Sequence, residues 1–223
     1  MKMLDWVIEV EIISVHVPKT AGTTFGNILQ RIYGVEGVFL DYPWSNFITS
    51  GEQQQPVKAI HGHFPASKYQ DFPDRVKRIT WIRNPIDRLV SHYFYWKSLP
   101  ISPQTGELHR YVVENQLGLI DFAKISALQN HISKWYIDID LSHFHFVGIH
   151  EFFKEDWQAL CEILGVNNLE ATLQNPNLDP EYRAFKKSPE YRSMLLELIG
   201  LNSEDMQLYQ SAMQKRYERM SER

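Results

Sequence analysis

Three times along this chain a short run rich in Val and Ile, or other large apolar residues, stops abruptly and gives way to small, charged or imidazole side chains. Ile8 to Val17 ends at Pro18 and leads through a turn-forming stretch into Phe25 to Tyr33, where apolar residues recur at helical spacing. Val57 to Ile60 leads into His61-Gly62-His63, and Arg78 to Ile82 leads into Arg83-Asn84-Pro85 and the segment Ile86 to Lys97. Runs of this kind predict short strands, and recurrence at three and four residues predicts helices. Asn84 can cap the third unit's helix and Pro85 can occupy its first turn. Further on, Phe144 to Ile149 predicts a fourth strand and Phe153 to Leu164 a helix closed by Gly165. Glu107 to Tyr136 reads as helices, Asn167 to Ser188 as a polar loop, and Pro189 to Ile199 as a helix. A last helix starts near Ser203, with Met206, Tyr209, Met213 and Met220 in step. Strands alternating with helices predict a mainly parallel sheet.

Charge and cysteine content narrow what such a fold can do. The 223 residues include 23 Lys and Arg against 27 Asp and Glu, for a formal charge of −4. No positive surplus is left to follow a nucleic-acid backbone, so any anion site must be local. The only cysteine, Cys161, sits among apolar neighbours, which excludes an intrachain disulfide framework and a multi-cysteine metal site. Met1 to Val17 is interrupted by Asp5, Glu9 and Glu11, unlike a signal peptide or membrane span. The expectation is a cytoplasmic protein with no nucleic-acid or membrane partner.

Pro18-Lys19-Thr20-Ala21-Gly22-Thr23-Thr24 lies between the first strand and its helix. Small side chains let backbone amides approach an anion, hydroxyls donate to it, and the helix N-terminus adds partial positive charge. With the strand–helix alternation, such a cradle predicts an α/β, P-loop-like three-layer fold with a mainly parallel central sheet flanked by helices, and the length without an interdomain linker predicts a single domain over residues 1–223. The nucleotide-triphosphatase loop ends in Gly-Lys-Ser/Thr, whereas here Thr23 follows Gly22 and the lysine stands at position 19. A Thr-capped helix with no ligand is the bland alternative. The next strand end offers a second anion site: Arg83 leaves the strand and Ser91 lies about two turns along the helix, so that fork and hydroxyl could grip one phosphate. Arg88, between them, reads equally as an exposed helical residue paired with a carboxylate. His61 and His63 follow the second strand, and a neutral imidazole near pH 7 suits proton abstraction from an alcohol. A structural role for either histidine is the alternative, and two histidines without further ligands make no metal site.

Together these segments resemble the sulfotransferases that use 3′-phosphoadenosine 5′-phosphosulfate (PAPS), above all the glycan uronyl 2-O-sulfotransferase-like branch. The resemblance implies that Pro18 to Thr24 hold the 5′-phosphosulfate, that Arg83 and Ser91 hold the 3′-phosphate, and that PAP is the product nucleotide. It implies that His63 is the base, with His61 beside it and Lys19 stabilising the leaving phosphate. Family position suggests that Arg183, Lys186 and Lys187, in the loop 167–188, close over the nucleotide; a solvated basic loop fits as well. Direct in-line transfer without a metal ion follows, onto a hydroxyl-bearing acceptor, a saccharide being one candidate. Trp44, Tyr69, Tyr95, Trp96, Lys134 and Trp135 are candidate acceptor contacts, although packing explains most aromatics as well. A P-loop kinase and a non-catalytic nucleotide-binding module are the rival readings. The oligomeric state is not legible.

Overall fold

The centre of the molecule is a strand of four residues, β1 (Ile12–Val15), every one of them buried. The computed structural model describes residues 9–43, 56–166 and 180–222. Among these, β1 is followed by α1 (Gly22–Tyr33), β2 (Val38–Asp41), β3 (Ala59–Gly62), β4 (Lys77–Ile82) and α2 (Pro85–Ser98). Three shorter helices, α3 (Glu107–Glu114), α4 (Leu119–Lys124) and α5 (His131–Trp135), precede β5 (Phe146–Ile149) and α6 (Phe153–Leu164). The chain closes with α7 (Pro180–Lys187), α8 (Pro189–Leu201) and α9 (Ser203–Ser221).

The sheet of the described residues has the order β2-β3-β1-β4-β5, and every neighbouring pair is parallel. In register, Ser14 of β1 lies opposite His61 of β3 and Ile79 of β4. Such a sheet needs cover on both faces. On one face Ile12, Ala59, Ile79 and Phe146 pack with Phe25 and Leu29 of α1 and with Trp157 and Leu160 of α6. On the other, Ile13, Ile60, Ile82 and Val147 pack with Ile132, Ala212, Leu208 and Met213. Each large apolar side chain removed from water contributes about 1.5–3 kcal/mol. A third cluster joins α2 to α4, α7 and α8 through Leu89, Phe122, Tyr182 and Leu198.

The connection through α1 leaves β1 toward the β2 edge, while the one through α2 leaves β4 toward the β5 edge. Adjacent strands whose connections depart in opposite directions open a crevice beyond their carboxyl ends, where ligands of open α/β sheets bind. Both anion-site segments stand at that point. Two differences from the sequence reading bear on the site. β3 extends through Gly62, so His61 lies inside the strand and not beyond its end. The polar stretch 167–188 is not all loop, since residues 180–187 form α7.

Asp156 of α6 ties the β5 edge of the sheet to α9. Its buried carboxylate accepts from the Ile149 amide at 2.7 Å, from Arg216 Nε at 2.9 Å and from Arg219 at 2.9 Å. No helix of the described residues is long and apolar enough to cross a membrane.

Candidate active site

The loop from β1 to α1 is built around two residues of left-handed backbone, Lys19 (φ 70°) and Ala21 (φ 78°). Neither is glycine, and each such residue costs on the order of 1–3 kcal/mol and persists only where the surroundings impose it. Residues that alternate in this way turn successive amides toward one concavity. The α1 N-cap position, Ala21, makes no side-chain cap, and the Thr20 hydroxyl donates instead to the Val17 carbonyl at 2.7 Å. The Thr-capped alternative is therefore not what the chain adopts, and an anion fits the uncapped first turn. Gly22 is required by a close approach: a Cβ there would meet the His16 ring at 1.7 Å.

Arg83 links this loop to two other segments. Its Nη1 donates to the Lys19 carbonyl at 3.3 Å and its Nη2 to the Tyr182 hydroxyl of α7 at 3.1 Å. Asn84 caps α2 as expected, its side chain accepting from the Ile86 and Asp87 amides at 3.0 and 3.2 Å, and Pro85 opens the helix. Ser91 is buried on α2. Arg88 is also fully buried, which overturns the exposed one of its two readings, and its Nε and Nη1 have no hydrogen-bond partner among the described residues. Burial pushes its pKa down to about 10, with Asp205 acting in the opposite sense, so it stays charged. Lys19 is pushed down to about 8, by burial first and then by Arg83. Lys186 is engaged elsewhere: its ammonium pairs with Asp87 and donates to Tyr191 at 2.7 Å. Arg183 stands exposed on α7.

Beside the loop, three imidazoles and a phenol pack together. The His16 ring centroid lies 4.4 Å from that of His63 and 5.2 Å from that of His61, and His16 Nδ1 is hydrogen-bonded to the Tyr42 hydroxyl at 3.0 Å. The Tyr42 ring stands edge-on to His63 at 4.8 Å. His61 is fully buried, and its Nδ1 is hydrogen-bonded to Ser14 Oγ at 2.8 Å. A Cβ on Gly26 would lie 2.9 Å from the His61 ring. Gly22 and Gly26 thus leave one stripe of α1 bare so that two imidazoles fit beneath it. His63 is half-buried and is the cluster's route to solvent. Burial holds His63 at about 4 and, with the His63 charge, His61 at about 3; His16 is also well below the ordinary value, through burial and then its two neighbours. All three are neutral at pH 7. The close approach of His16 to Gly22 has no signal in sequence spacing.

A family model for the sulfotransferase family matches residues 9–211. The chain belongs to the sulfotransferase family. Among solved structures it is similar to mouse sulfotransferase SULT7A1 complexed with PAP, at 16% identity and a TM-score of 0.47, over 96% of this chain and 89% of that one. It is also similar to a sulfotransferase from Alicyclobacillus acidocaldarius, at 12% identity and a TM-score of 0.36, over 89% of this chain and 96% of that one. No curated protein sequence matches it.

The residues singled out as acceptor contacts of this sulfotransferase divide by their surroundings. Tyr69 donates to Asp41 at 2.9 Å, and Lys68 pairs with the same carboxylate at 2.5 Å, so Tyr69 anchors the end of β2. Trp96 packs between His92, at 4.5 Å, and His109, at 4.9 Å. Trp135 is exposed and donates to the Ala127 carbonyl at 3.2 Å; Lys134 beside it is exposed. Tyr95 is exposed and faces Lys19. Trp44 lies outside the described residues. Among the described residues no group of three or more His, Cys, Asp or Glu is placed to hold a metal ion.

Proposed function

We propose that this sulfotransferase moves a sulfuryl group from PAPS onto a hydroxyl of its acceptor, with His63 as the general base. One observation carries the reading: the uncapped, left-handed loop of Lys19 and Ala21, the Arg83 guanidinium and a half-buried neutral imidazole meet at one crevice. When bound, the donor supplies a sulfuryl group on a phosphate leaving group. The acceptor oxygen forms its bond to sulfur as the sulfur–oxygen bond to that phosphate breaks, and the acceptor proton passes to an imidazole nitrogen of His63. Lys19 and the first-turn amides of α1 stabilise the negative charge that gathers on the leaving oxygen, while Arg83 and Ser91 grip the 3′-phosphate. The amide cradle fits the 5′ end of the nucleotide, and the Tyr182 hydroxyl holds the Arg83 fork at the crevice.

His61 serves as a positioning group: its burial and its bond to Ser14 keep it from reaching an acceptor. A sulfuryl group carries less negative charge than a terminal phosphoryl group, so a metal ion is not required, and activity is expected to survive EDTA. A saccharide is one candidate acceptor, for which the exposed Trp135 ring would offer a stacking face. The lysine at position 19, in place of a Gly-Lys pair, disfavours the kinase reading. His63→Ala tests the base: PAP affinity should stay within about twofold while transfer falls on the order of 10²–10⁴-fold. Full transfer by the variant would remove His63 from the mechanism.

A further inference from the structure

Tyr95 is the part of the site that packing does not explain. It lies on α2 one turn beyond Ser91, is 44% exposed, and belongs to none of the three apolar clusters. Its ring nevertheless has one close polar neighbour: the Lys19 ammonium stands 3.9 Å from the ring centroid. An ammonium on a four-carbon stem is otherwise free to sample many rotamers, and about 2 kcal/mol of entropy opposes fixing it. The face of a tyrosine ring attracts a cation at this distance, more strongly where water is partly excluded. The Lys19 backbone is already fixed, by its left-handed conformation and by the bond its carbonyl accepts from Arg83. The ring acts on the remaining freedom, the direction of the side chain.

We infer that Tyr95 is a positioning residue for Lys19, its ring face holding the ammonium at the mouth of the phosphate loop where the 5′ end of the nucleotide binds. The inference rests on the donor reading above and adds a residue that touches neither the phosphates nor the transferred group. The ring, not the hydroxyl, performs this role, so phenylalanine substitutes for tyrosine and leucine does not. The effect is confined to the 5′ end, because Lys19 acts there and Arg83 with Ser91 acts at the 3′-phosphate.

Calorimetric titration of the wild type, Tyr95→Phe and Tyr95→Leu with PAP and with adenosine 3′-monophosphate, which lacks the 5′-phosphate, tests this without an acceptor. Tyr95→Leu should weaken PAP about fivefold, the scale of one partly desolvated cation–ring contact. Tyr95→Phe should bind PAP within about twofold of the wild type, and all three proteins should bind adenosine 3′-monophosphate alike. Equal PAP affinity across the three proteins overturns the inference, as does a Phe variant as weak as the Leu variant. A parallel loss of adenosine 3′-monophosphate affinity overturns it too, since the ring would then support the whole nucleotide site. Failure of the wild type itself to bind PAP marks a different error, in the donor reading beneath it.

Discussion

In the proposed mechanism His63 trades basicity for readiness. Burial holds its pKa near 4, which keeps the imidazole unprotonated throughout the neutral range at the cost of a weaker base. Protonation removes the base, so the acid limb of kcat/KM in the free enzyme should fall near pH 4, not near the 6.5 of an exposed histidine. A pH–rate profile with its acid limb at 6.5 would contradict the role of a buried His63 as the base. Lys19 points the other way: with its pKa lowered to about 8, its charge is lost as pH rises through that value, and PAP affinity should decline from about pH 8 upward. Lys19→Ala should weaken PAP at pH 7 and flatten that alkaline decline.

At the scale of elements, the loop and α1 behave as one unit because two helix positions lack side chains. Gly22→Ala would drive a methyl group to 1.7 Å from the His16 ring, so either the ring leaves or the helix start moves. The expected result is loss of PAP affinity by tenfold or more, whereas Gly26→Ala, at 2.9 Å from His61, should cost less; paired titrations check the order. Tyr182→Phe removes the bond that connects α7 to Arg83 and should weaken PAP severalfold without unfolding the protein.

Much of this frame was legible: three strand-to-helix junctions, the Asn84 cap and the helix closed by Gly165. β2 was not, because Val38 to Asp41 is a four-residue edge strand with half-buried residues, too short to show a period. α7 was hidden by its polar composition, since only Tyr182 is buried. The left-handed backbone at Lys19 and Ala21 was illegible in principle, because non-glycine residues carry no sequence mark for it. The burial of Arg88 was not legible, because a charged residue is almost never fully buried and an exposed helical position fitted the sequence equally well.

For the molecule as a whole, the buried imidazoles make the fold sensitive to acid. His61, His63 and His131 have folded pKa values of about 3, 4 and 4, each lowered mainly by burial. Between those values and the unfolded 6.5 the unfolded chain binds more protons, so stability present above pH 6.5 is lost as pH falls toward 4. Each group contributes up to about 1.4 kcal/mol per pH unit in that window. Thermal melts should show Tm falling steeply from pH 6.5 to 4 and nearly flat from 7 to 8. At the β5 edge of the sheet, Asp156→Ala would remove the carboxylate that pairs with Arg216 and Arg219 and leave the Ile149 amide without its acceptor. Loss of a buried partner of this kind costs on the order of 3–5 kcal/mol, which urea unfolding would read directly. The most direct test of the central claim is calorimetric titration of the protein with PAP beside ATP and magnesium. Tight binding of PAP with little response to ATP is the predicted result; preference for ATP would contradict the sulfotransfer mechanism and put the kinase reading in its place.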